Sequence, residues 1–99
     1  MNFQAIMNQA KTLQKDMLKT QEEINKTVFE GKNSFVSVKV NGKKEVLEIK
    51  FDDNFVPEKD DLEMIQDVLA VAINEAMKKV DDETAKKMGK YSNMMPGIF

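Results

Sequence analysis

Residues 62–80 read LEMIQDVLAVAINEAMKKV, and the fold follows from what this stretch must bury. At roughly 100° per residue, Leu62, Ile65, Leu69, Ala72, Ile73, Ala76 and Val80 fall within about one third of the circumference, the core-facing stripe of a helix. Met64, Val68 and Val71 form a second apolar set outside that stripe, and Ala70 and Met77 widen the other flank. One small sheet covers one stripe. The helix therefore needs two partners, the second being another helix of the chain or another copy of the protein.

The sheet is written just upstream. Val36, Val38 and Val40 alternate with Ser37, Lys39 and Asn41, the pattern of a half-buried strand. Asn41-Gly42 is the dipeptide favoured in a two-residue type I′ turn, because both central residues need positive φ. The return strand carries Leu47, Ile49 and Phe51 on one face and Glu48 and Lys50 on the other. With a two-residue loop, Val36 lies opposite Leu47. Val46 points to the other face and marks either a bulge or a half-covered surface. A shorter first strand around residues 28–30 joins through a turn at residues 31–34. Three antiparallel strands result, with one apolar face that needs a cover.

Further upstream, residues 2–27 contain no glycine or proline and read as a helix. Phe3, Ala10, Met17 and Ile24 form one row at seven-residue spacing, and Ile6, Leu13, Thr20 and Thr27 form the other, with the best apolar match near the start. This is either a helix packing on its own sheet or a seam between chains. Lys11, Lys15 and Lys19 step by four along one ridge of its polar side. The segment carries a charge of +1, four lysines against three acids.

Asp52, Asp53, Asn54 and Pro57 end the strand pattern. Asp60 stands three residues before Glu63 as a capping pair, and the acids at Glu58, Asp60, Asp61 and Glu63 suit a positive helix N-terminus. They lack the ordered spacing of a calcium loop. After Val80, Asp81-Asp82-Glu83 lies on the exposed surface of a continuing helix or marks a kink and restart. Lys79, Lys86 and Lys90 share a second ridge, and Gly89 and residues 92–93 offer places to stop. One domain over residues 1–93 is expected, with a mobile tail at 94–99 that contains Pro96 and Gly97.

Ninety-nine residues make one domain at most, burying only about 60–65% of its unfolded surface, so an oligomer interface would add much. The N-terminus lacks the early positive charge and unbroken apolar core of a secretory signal. The longest apolar run, residues 68–73, is too short to cross a bilayer. A cytoplasmic protein without a membrane role is expected. The net charge is −2, and all fifteen basic residues are lysine. Lysine is a strongly hydrated point charge without the planar fork that reads guanine, so base readout is poorly served. Genome composition is the alternative source of this bias.

Histidine, cysteine, arginine and tryptophan are absent. That removes the commonest general base, the thiol nucleophile and the soft metal ligands. Ser34, Ser37, Ser92 and Tyr91 have no recognisable activating neighbour, and no glycine-rich phosphate loop exists. The expectation is a binding protein, not an enzyme, with no cofactor, no metal site and no small-molecule substrate.

Taken in order, the lysine- and glutamine-rich first helix (QAKTLQKDMLKTQEEI), the FEG turn, VSVKVNGKKEVLEIKFDD, VLAVAINEAMKKV, the KMGK step and the terminal PGIF resemble the YbaB/EbfC family of bacterial nucleoid-associated DNA-binding proteins nearly end to end. YSNMM stands where the family has a glycine-rich stretch, and the glycines between the first two strands are thinned to Gly31. The resemblance implies an α+β fold with an α-β-β-β-α protomer and long terminal helices. It also implies a tweezers-shaped homodimer, DNA binding with little sequence specificity, and a place on the nucleoid.

Two functions follow as expectations. The first is a homodimer that binds double-stranded DNA through its phosphates, with Lys11, Lys15, Lys19, Lys79, Lys86 and Lys90 as contacts and Met64, Val68 and Val71 at the dimer interface. The second is a protein-interaction or adaptor module without a DNA role, drawn from the surplus apolar surface and the methionine-rich tail.

Overall fold

The computed structural model describes the backbone of residues 2–94 and the side chains of residues 2–91. In chain order these form α1 (Phe3–Lys26), β1 (Phe29–Asn33), β2 (Val36–Val40), β3 (Val46–Phe51), a 3-10 turn (Lys59–Asp61) and α2 (Leu62–Met94). The strands make one antiparallel sheet in the order β1-β2-β3. This is the expected α-β-β-β-α order. Part of the tail expected at residues 94–99, residues 95–99, lies outside the described residues, and Met94 is still helical.

α1 begins where the Asn2 side chain accepts the Ala5 N–H at 3.2 Å, and ends where Thr27 turns extended. The Thr27 hydroxyl donates to the Glu23 carbonyl at 2.8 Å, satisfying a last-turn acceptor without glycine. α2 runs 33 residues through Asp81-Asp82-Glu83, Gly89 and residues 92–93 as one uninterrupted helix, with no stop or restart. Its start is capped two residues earlier than the Asp60–Glu63 spacing predicts. The Glu58 N–H donates to the Asp61 carboxylate at 2.9 Å, and the 3-10 turn feeds into the helix.

Val36, Val38 and Val40 of β2 are fully buried against Ala72, Ala76 and Val80 of α2, with Phe29, Phe35, Val68, Leu69, Ile73 and Met77 around them. The predicted stripe thus supplies the core from Leu69 onward, while Leu62, in the first turn, stays exposed and the half-buried Ile65 lies outside the cluster. The small side chains of Ala72 and Ala76 let the backbones come close. Gly31 is the matching device on β1. A Cβ there would collide with the Ala72 carbonyl oxygen and lie 2.6 Å from the Ala76 nitrogen. Gly31 is therefore a contact point inside a strand and not part of the turn expected at residues 31–34, which falls instead at Ser34 and Phe35.

The β2–β3 hairpin also departs from expectation. Val36 pairs with Phe51, not Leu47, and the loop spans residues 41–45. The Asn41 side-chain oxygen accepts the N–H groups of Lys43 (2.9 Å) and Glu45 (3.0 Å), and Lys44 takes the positive φ. Gly42 is committed elsewhere: its N–H donates to the Asn25 carbonyl at 3.3 Å, and a Cβ would collide with the Ile24 carbonyl oxygen. The glycine that could have made a tight turn docks the loop on the end of α1. The four-residue slip preserves side-chain parity, so the apolar faces of β2 and β3 still coincide. An irregularity at Lys39/Val40 brings Val46 opposite Val40 and leaves Leu47 as the extra residue of a bulge, one position from the Val46 at which the sequence places it.

α1 packs on α2 and not on the sheet. Ile24, Met88 and Tyr91 are buried together, with Leu13 and Met17 beside them, and the Thr20 and Tyr91 hydroxyls share a hydrogen bond of 3.1 Å. The heptad rows are therefore best packed near their end, while Phe3, Ile6 and Met7 are exposed. The reason is topological: only the last turns of α2 face α1, and they meet it along residues 13–24. These two helices form an antiparallel arm. The radius of gyration is 19.7 Å, against about 13 Å for a compact chain of this length.

Candidate nucleic-acid interface

The arm positions both lysine ridges. Leu13, Met17, Thr20 and Ile24 face α2, so Lys11, Lys15 and Lys19 lie roughly opposite, about 150–220° around the helix. All three are exposed, and none joins an ion pair among the described residues. Their four-residue spacing is itself unfavourable, since like charges at that interval cost about 0.2–0.5 kcal/mol per pair. A polyanion laid along the ridge would turn that repulsion into attraction.

On α2, Met88 and Tyr91 face α1, which sends Lys86 and Lys90 to the far side of the arm. Two of the three acids nearby are engaged by other lysines: Asp81 pairs with Lys44 at 2.6 Å and Glu83 with Lys87 at 3.3 Å, while Asp82, one turn before Lys86, is exposed and in no ion pair among the described residues. Lys90 sits 5.0 Å from the Tyr91 ring centroid, within cation–π range. Lys79 differs from its ridge neighbours. Its ammonium donates to the Glu30 carbonyl of β1 at 2.6 Å and lies 3.6 Å from Glu75, tying α2 to the sheet. The structure therefore brings Lys11, Lys15 and Lys19 together on one face of the arm, Lys86 and Lys90 on the other, and sets Lys79 apart.

Sequence reasoning missed a third basic group. The register places Lys32 and Lys50 on either side of Ser37 on the sheet face away from α2. The adjacent row is Glu30, Lys39 and Glu48, where Lys39 pairs with Glu48 at 3.5 Å. Polar alternation in the strands carries the signal, but cross-strand neighbours follow from the register, and a two-residue turn implies a different one.

Of the proposed interface residues, Met64 and Val71 are exposed (43% and 49%) and Val68 is half-buried against the core. A second apolar surface is visible only in the structure. α2 covers β1 and β2 but not β3, so Ile49 and Phe51, on the same face as buried Val38 and Val36, stay open (47% and 37%) together with Val46 and Leu47. Among the described residues, no cluster of three or more acids is placed to hold a metal ion, and no helix is long and apolar enough to cross a membrane.

A sequence model described as the YbaB/EbfC DNA-binding family matches residues 1–95. A nucleoid-associated protein of Ligilactobacillus salivarius is 42% identical over 100 residues, covering 99% of this chain and 95% of its own length. One from Streptococcus sanguinis is 41% identical over 98 residues, covering 97% and 98%. The crystal structure of an uncharacterised Helicobacter pylori protein superposes with a TM-score of 0.69 at 25% identity, covering 96% of this chain and 98% of that one.

Proposed function

The chain belongs to the YbaB/EbfC DNA-binding family, and from that premise we propose that it acts as a homodimer gripping duplex DNA by its phosphates, with little reading of bases. Its place is the cytoplasmic nucleoid, where such binding affects nucleoid organisation and gene expression, and it is a binding protein rather than an enzyme. The observation that carries this reading is the α1 ridge: three exposed lysines in line, unpaired among the described residues and turned away from α2. Phosphate contacts by lysine fix position without conveying sequence. The absence of arginine removes the commonest bidentate guanine contact.

The proposed contacts are Lys11, Lys15 and Lys19 on one face and Lys79, Lys86 and Lys90 on the other. Lys79 contributes least, because its ammonium is held at Glu30. In the dimer we propose, the second apolar set of α2 (Met64, Val68, Val71) in one protomer covers the open β3 face (Ile49, Phe51) of its partner, and the reverse. A two-fold interface requires that reciprocity. Because an arm's two ridges face opposite ways, one duplex between two arms meets one ridge from each protomer, or about six lysines. Neutralising that many phosphates gives a log affinity–log salt slope near −5.

A gel-shift or anisotropy titration on random and AT-rich duplexes at several salt concentrations tests this. Equal affinity for both duplexes and a steep slope are expected. The triple variant K11Q/K15Q/K19Q should flatten the slope by about 1 for each phosphate it no longer neutralises. The open β3 face also favours a second reading, an adaptor whose protein partner covers it. Light scattering separates the two, since a tight dimer leaves that face covered while a monomer leaves it for another protein.

A further inference from the structure

We infer that each arm carries two separate DNA-binding faces, one on α1 and one on α2, so that the protein joins separate duplexes instead of only holding one. The inference rests on the DNA-binding reading above and adds the number of duplexes held. The face on α1 is formed by Lys11, Lys15 and Lys19 and the face on α2 by Lys86 and Lys90, all exposed and none in an ion pair among the described residues.

The two faces are held apart by the arm's own core. Ile24, Met88 and Tyr91, with Leu13 and Met17, fill the space between the helices, and the Thr20–Tyr91 hydrogen bond fixes their rotation. Axes about 8–10 Å apart and helices about 10–12 Å wide set the outer surfaces roughly 20 Å apart, pointing in opposite directions. Duplex DNA has a persistence length of about 50 nm, so it cannot turn back around a post that narrow. One stretch of duplex therefore meets one face. If both faces bind, they hold two duplexes.

The placement of acids supports two working faces. On α2, Asp81 and Glu83 are neutralised by Lys44 and Lys87, which lie off the ridge; Asp82, one turn before Lys86, forms no ion pair among the described residues, and Lys86 and Lys90 hold no acid, Lys90 lying over the Tyr91 ring. On α1, Glu23 stands one turn beyond Lys19, yet no pair forms between them. That order, lysine before glutamate, is the weaker one on a helix. Lys11, Lys15, Lys19, Lys86 and Lys90 thus hold no acid among the described residues, although Asp16 and Asp82 stand within a turn of them and the chain as a whole is negative.

The test is a capture assay with the full chain. A biotinylated 40-base-pair duplex is fixed on beads, loaded with protein and washed, and a fluorescent duplex of unrelated sequence is added. The wild type should retain the second duplex. K86Q/K90Q should lower that retention by about tenfold or more while weakening single-duplex affinity, read by anisotropy, by clearly less, because only the second face gives up its hold on phosphate. Lysine and glutamine have similar helix propensity, so the variant should fold, as its circular dichroism melt will show. The pair K43Q/K59Q matches the charge change away from both ridges and should capture like the wild type. Overturning results are a wild type that binds one duplex and retains no second, or a K86Q/K90Q variant that captures as well as the wild type. If the wild type binds neither duplex, the DNA-binding reading itself fails, and the two failures are told apart.

Discussion

Gly31, Gly42 and Gly89 have three different surroundings, and the same substitution should give three different results. At Gly31 a methyl group would run into the α2 backbone at Ala72 and Ala76, and backbone cannot swing aside. Gly31→Ala should cost about 3 kcal/mol, at the high end for overpacking. A melt should register this as a fall of more than about 10 °C. Gly42→Ala, facing the backbone at the end of α1, should loosen the hairpin loop in the same way. At Gly89 there is nothing within 4 Å and the backbone is helical, so Gly89→Ala should raise stability by about 0.5–1 kcal/mol. Lys79 makes the corresponding point for charge. Lys79→Met removes the bond to the Glu30 carbonyl and should cost about 0.5–1.5 kcal/mol in a denaturant titration. Its effect on DNA affinity should be smaller than that of Lys15→Met.

At the scale of elements, what is legible in the sequence depends on how local the deciding interaction is. Both helices are legible, because periodicity and the absence of breakers act within a few turns. The core stripe of Ala72, Ala76 and Val80 is legible for the same reason. The β2–β3 turn is not, because Gly42 answers to Ile24 and Asn25 on another element and not to its own hairpin. The partner of α1 is also hidden: the heptad rows show an apolar face without showing that α2, and not the sheet, covers it. The lysine ridges are legible as ridges. Their opposed directions are not, because direction is fixed by Met88, Tyr91 and Thr20 between the helices. Tyr91→Phe tests that arrangement. It removes one shared hydrogen bond and should cost about 1 kcal/mol, leaving Thr20 to find water. The salt slope for DNA should change little, since every ridge lysine remains.

For the whole molecule, the open β3 face and the elongated arm are the features that the proposed dimer accounts for. In the proposed dimer, Ile49→Asp places an unpaired charge in the interface and should shift light scattering from dimer toward monomer. Because Ile49 is 47% exposed in the protomer, the secondary structure should survive. The central claim is that lysine ridges hold phosphates without reading bases, on a chain whose net charge is −2. The most direct test is the affinity of the intact protein for a random duplex across a salt series. A log–log slope near −5 is the predicted result, collapsing when Lys11, Lys15, Lys19, Lys79, Lys86 and Lys90 are all changed to glutamine. A flat dependence, or a six-lysine variant that binds like the wild type, would contradict it.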